Sequence, residues 1–88
     1  MERKKVFVLM RDSMTRGEQA IDLQTFDTKA KAEKTMKDLF VAELNDWKSW
    51  CDEDFIEAEE SENSRSIYEI GNYHENHYEL SIHEQVVQ

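Results

Sequence analysis

The sequence predicts an α+β domain: an antiparallel sheet of about four strands, β-β-α-β-β, packed on one long helix. Three observations carry this reading. Residues 27–51, DTKAKAEKTMKDLFVAELNDWKSWC, contain neither Gly nor Pro, and Ala32, Met36, Leu39, Phe40, Leu44 and Trp47 recur at steps of three and four. That spacing gathers them into one stripe of a helix. The segments on either side are short and alternate apolar with polar residues, the period of a strand. The 88 residues, 39% hydrophobic with two Trp, three Tyr and four Phe, can bury one modest core in one domain, 1–88.

Lys5 to Met10, KVFVLM, is apolar on both faces and so reads as a central strand. Asp12 to Glu18 reads as a loop with Gly17 as its permissive residue. Ala20 to Phe26 alternates, with Ile21 and Leu23 on the side expected to be buried, and closes an N-terminal hairpin. Asp27 or Thr28 can cap the helix, and Glu33–Lys37 is spaced to pair along it. At about 1.5 Å per residue the helix is roughly 35 Å long and ends near Cys51. Asp52 to Ser66 holds seven carboxylates. A short strand over 55–58 is possible there, and 59–64 reads as an exposed, mobile acidic connection. In the last segment, a three-residue loop at 74–76 places Ile70 opposite Leu80 and Tyr68 opposite Ile82, with Asn76 left-handed.

The charge is unevenly divided. Residues 1–50 carry ten Lys/Arg against nine Asp/Glu, a net of +1, whereas residues 51–88 carry Arg65 against eleven, a net of −10. Such a field disfavours direct nucleic-acid binding and favours a basic protein partner, or simply aids solubility. The apolar run Val6 to Met10 is too short for a signal peptide or membrane span, and Cys51 has no partner for a disulfide. The expected location is the cytoplasm, with no membrane association.

One helix covers one face of a sheet. One of the rows Val6/Val8/Met10 or Phe7/Leu9 must therefore face outward, beside Ile67, Tyr73, His77 and His83. An apolar centre with a polar rim suits a partner or a second copy. The candidate contact residues are Phe7, Leu9, Trp50, Ile67 and Tyr73, with the carboxylates Glu57, Glu59, Glu60 and Glu62.

Little else carries chemistry. His74 and His77 flank the expected loop as weak metal candidates, and His83 lies about 20 Å further along the strand at ~3.3 Å per residue. Zinc needs three or four converging ligands, so no metal and no cofactor is expected. Cys51 extends the apolar stripe and lacks any motif of a thiol nucleophile. With only Gly17 and Gly71 there is no phosphate-binding glycine loop. An enzyme is not expected.

KVFVLM, a loop, AIDLQTF and DTKAKAEKTMKDL together resemble very small, mostly uncharacterised proteins of bacteria and their phages. The likeness covers about residues 4–44 and implies a hairpin followed by a helix, without an agreed activity. Small acidic phage proteins include inhibitors of host defence, some imitating nucleic acid with carboxylates. The function expected is a non-catalytic, acidic interaction protein of the phage or mobile-element inhibitor type, binding a basic protein partner. The alternatives are a homodimer joined through its open sheet face and a metal-responsive protein using the hairpin histidines.

Overall fold

The computed structural model describes residues 4–71 and 75–87, the side chain of Val87 excepted. The order is β1 (Lys4–Thr15), β2 (Glu18–Phe26), α1 (Lys29–Trp50), a 3-10 turn (Glu53–Phe55), β3 (Ile56–Ser61), β4 (Ser64–Glu69) and β5 (His77–Val87). The strands form one antiparallel sheet, β2-β1-β5-β4-β3. The fold is α+β as expected, but with five strands, β-β-α-β-β-β, and β1 is an interior strand, not an edge. The helix carries the chain from one edge of the sheet to the other.

Helix α1 runs unbroken because nothing in it interrupts the backbone ladder. The Thr28 side chain accepts from the Lys31 amide at 3.3 Å. At the other end the Cys51 amide donates to the Trp47 carbonyl at 2.8 Å. Ala32, Met36, Phe40 and Trp47 are buried, with Leu39 and Leu44 packed beside them, so the apolar stripe is the one the spacing indicates. Along the exposed face Lys29 lies 3.8 Å from Glu33 and Lys34 lies 2.9 Å from Asp38. Asp27 pairs with Lys31, which holds its carboxyl below the usual range.

Three local expectations are corrected. First, 12–18 is not an open loop: β1 continues to Thr15, and Arg16 and Gly17, with φ of 50° and 86°, form a two-residue turn. Two left-handed residues match the twist of a tight hairpin, and glycine takes that conformation without strain. Second, 59–64 is a hairpin: β3 extends to Ser61, turns at Glu62-Asn63 and pairs Ser61 with Ser64. Its backbone demand is met by β4, and the Ile82 amide donates to the Asn63 carbonyl at 2.8 Å. Third, β4 and β5 pair Ile67 with Tyr78 and Tyr68 with His77, not Ile70 with Leu80. The connection spans residues 70–76 instead of three residues, and this odd shift in register exchanges the two faces of β4.

The core lies between sheet and helix: Leu9, Ile67, Tyr78, Leu80 and Ile82 from the strands meet Ala32, Met36, Phe40 and Trp47. Phe7, Phe26, Trp50 and Ile56 are partly buried against it. Ile21 and Leu23, expected to be buried, are 66% and 62% exposed, and Ile70 is 49% exposed. Phe7 pairs with Phe26 and Leu9 with Gln24, so Phe26, Gln24 and Asp22 share the helix side of the sheet. Ile21 and Leu23 consequently lie on the other side.

Candidate functional site

Helix α1 covers one face of the sheet, and no described element packs on the other. The register decides what this second face displays. β1 contributes Val6, Val8, Met10, Asp12 and Met14, and β2 contributes Gln19, Ile21, Leu23 and Thr25. From β5 come His77, Glu79, Ser81, His83 and Gln85, from β4 Ser64, Ser66 and Tyr68, and from β3 Glu57, Glu59 and Ser61.

The face is divided. Met10 lies opposite Leu23 and Val8 opposite Thr25, giving an apolar strip over β1 and β2. Glu59 aligns with Ser66, Ser66 with Glu79 and Glu79 with Asp12, while Glu57 pairs with Tyr68. Glu57, Glu59 and Glu79 thus share the far half, and Asp12 lies on β1 directly opposite Ile21. Among the described residues neither Glu57 nor Glu59 makes an ion pair.

The expected contact residues are redistributed by this geometry. Leu9 is 2% and Ile67 0% exposed under the helix, and Phe7 is half-buried on the same side. It is the row Val6/Val8/Met10 that faces outward. Glu57 and Glu59 lie on the open face. Glu60 points to the helix side, 3.3 Å from Arg65. Glu62 sits in the turn 3.1 Å from Lys29, and that pairing raises the affinity of Lys29 for its proton. Trp50 also belongs to the helix side: its ring lies 4.9 Å from that of Trp47, with the Arg16 guanidinium 5.3 Å above it. Arg16, 3.9 Å from Asp46 as well, pins the first hairpin to the end of the helix. Tyr73 and His74 lie outside the described residues.

His77 and His83 are both on the open face, and the His83 ring nitrogen meets the Ser81 hydroxyl at 2.9 Å. Among the described residues no three His, Cys, Asp or Glu side chains converge as a metal site would require. Cys51 is buried, and burial, with Glu69 and Asp52 nearby, pushes its thiol up, away from the nucleophilic thiolate.

A polar network under the helix escaped the reading of the sequence. Arg11 lies 3.2 Å from Asp22 across the hairpin, and its charge acts on the Tyr78 hydroxyl nearby. Glu43 accepts from Trp47 Nε1 at 2.9 Å. Burial pushes the Tyr78 hydroxyl up, reinforced by Glu43, and burial pushes the Glu43 carboxyl up despite the Trp47 hydrogen bond. The position of Glu43 between Phe40 and Trp47 on the apolar stripe was the available signal.

Glu43 supports one prediction. Its folded pKa exceeds the unfolded one, so the fold holds its proton more tightly. Its contribution is greatest below the unfolded value and is lost as pH rises through the folded value. Glu43→Gln keeps an acceptor for Trp47 and removes that penalty. The expected result is a small rise in the melting midpoint at pH 7, closing as pH falls towards 4. A lower midpoint at pH 7 would show that the charge itself is needed.

No helix among the described residues is long and apolar enough to cross a membrane. No family model matches the chain, and no curated protein or solved structure matches it.

Proposed function

We propose that this protein is a non-catalytic interaction module whose open sheet face binds a basic protein partner. The observation that carries this is the placement of Glu57, Glu59, Glu79 and Asp12 on the uncovered face, beside the apolar strip of Val8, Met10, Ile21 and Leu23. Carboxylates steer and orient a basic partner, while the apolar strip supplies the desolvated contact that holds it. The excess charge of the whole C-terminal half extends that field over the approach. Occluding a partner's basic surface is the simplest consequence of such binding.

A charge-matched pair of variants tests the reading. Glu57→Gln/Glu59→Gln/Glu79→Gln and Glu33→Gln/Glu60→Gln/Glu62→Gln lose the same charge from opposite sides of the sheet. Titration with a lysine-rich amphipathic peptide at low salt is expected to show about tenfold weaker binding for the first set only, an advantage that added salt removes. Equal losses would reduce the effect to net charge and refute a face-specific site.

A second reading is favoured by the exposure of Ile21 and Leu23: the same chain associates with itself at the apolar end of the sheet. Light scattering across a concentration series tests it, and a strict monomer at millimolar concentration rejects it.

A further inference from the structure

We propose that two copies of this chain join edge to edge through β2, antiparallel, making one continuous sheet from the five strands of each. The proposal rests on the self-association reading and specifies its geometry.

β2 is one of the two edges of the sheet, and nothing among the described residues pairs with its outer side. The turn at Arg16-Gly17 fixes which backbone groups are left over. In a two-residue hairpin the closing pair, here Thr15 and Glu18, is hydrogen-bonded, so Glu18, Ala20, Asp22, Gln24 and Phe26 spend their amides and carbonyls on β1. The amides and carbonyls of Gln19, Ile21, Leu23 and Thr25 consequently point away from the sheet.

The two edges are treated differently. β3 is six residues long and carries Glu57, Glu59 and Glu60, the charged and short form that discourages pairing. β2 is nine residues long, with an unbroken register, no Pro and no Lys, and its two exposed apolar side chains flank its midpoint. Its one central charge, Asp22, is balanced by Arg11 at 3.2 Å. This is an unguarded edge.

Charge also selects the occupant. Two chains of net −9 repel each other most through residues 51–88, which hold the whole excess, and least through the N-terminal half at +1. β2 lies in that half, at the opposite edge from β3. β2 carries only Glu18 at its start and Asp22, which Arg11 balances, so a basic partner finds far less charge there than on the C-terminal half, whereas a second copy finds a complementary strand. A twofold register centred on Leu23 sets Leu23 against Leu23, Ile21 against Thr25 and Asp22 against Gln24, so no like charges oppose. The pairs formed by 21, 23 and 25 use the unspent groups in about six hydrogen bonds. The helices, each centred over the middle strands of its own protomer, would stand roughly 20 Å apart at ~4.8 Å per strand and would not collide. The apolar strips would then meet at the centre of the joint face, with carboxylates at both far ends.

The test uses full-length chain. Sedimentation from micromolar to millimolar concentration is expected to show a dimer that dissociates on dilution and is weakened about tenfold or more by Leu23→Lys, which opposes two like charges. Asp22→Cys and Gln24→Cys are then oxidised separately and as a mixture, Cys51 being buried in every sample. Residues 22 and 24 of different copies would be directly opposed on the helix side, within reach of a disulfide, whereas identical positions would be offset beyond it. Cross-linking several-fold higher in the mixture than in either variant alone supports the edge pairing. A dimer without that excess overturns the edge geometry while leaving self-association standing. A strict monomer overturns both.

Discussion

Trp47→Ala is expected to lower the melting midpoint by roughly 12–40 °C. Trp47 is fully buried at the C-terminal end of the helix stripe, with Trp50 at 4.9 Å and its Nε1 on Glu43 at 2.9 Å. Truncating a buried tryptophan costs about 3–5 kcal/mol, because contacts are lost and the cavity collapses only in part. A domain of this size holds only about 4–13 kcal/mol in total. Each kcal/mol corresponds to about 4–8 °C for such a domain, which gives the range stated. The change also leaves Glu43 without its donor in a half-buried site, so it adds to the loss. Trp47→Phe separates the two effects: it keeps most of the volume, removes the N–H, and is expected to cost a minor part of the total. Circular dichroism melts measure both. A fall of only a few degrees for Trp47→Ala would mean that the helix does not bury this ring against the sheet.

The helix was legible because its stripe is long and uninterrupted, and a periodicity sustained from Ala32 to Trp47, about four turns, outweighs local detail. β1 was legible as an interior strand because Val6 to Met10 leaves no polar face to present to water. The open face follows from those two facts together. Which row points outward does not, because Val6/Val8/Met10 and Phe7/Leu9 are equally apolar. That choice is made by register, and register by turn lengths that composition does not fix. β4 illustrates the difficulty. Tyr68 and Ile70 outnumber Ile67 as apolar residues, yet Ile67 is the one buried, flanked on its face by Arg65 and Glu69. Arg65 is tolerated because its stem runs along the sheet while its guanidinium returns to the carbonyls of Ser61 and Ser64. β3 was hidden by its own carboxylates. An edge strand needs few apolar residues, here Ile56 and Ala58, and charge on the remainder is what an edge prefers.

Leu9→Asp and Leu23→Asp place the same charge at two leucines of adjacent strands, and their effects are expected to be opposite in scale. Leu9 is 2% exposed beneath the helix, beside Leu80 and Ile82 in the core. A carboxylate there loses the leucine's packing and must either desolvate or take up a proton, and each alternative costs several kcal/mol. Added to a domain of marginal stability, that is enough to abolish cooperative folding at neutral pH. Leu23 is 62% exposed on the open face, so its substitution removes little packing and buries no charge. Its melting midpoint is expected to stay within a few degrees of the parent, with a change on the order of 0.5 kcal/mol. The contrast bears directly on the division of the sheet. If both variants fold equally well, the helix does not seal the Phe7/Leu9 side. If both unfold, something covers the second face within the single chain, and no surface is left there for a partner. Only loss at Leu9 with tolerance at Leu23 leaves a stable protein displaying Val8, Met10, Ile21 and Leu23, the condition that both modes of association require.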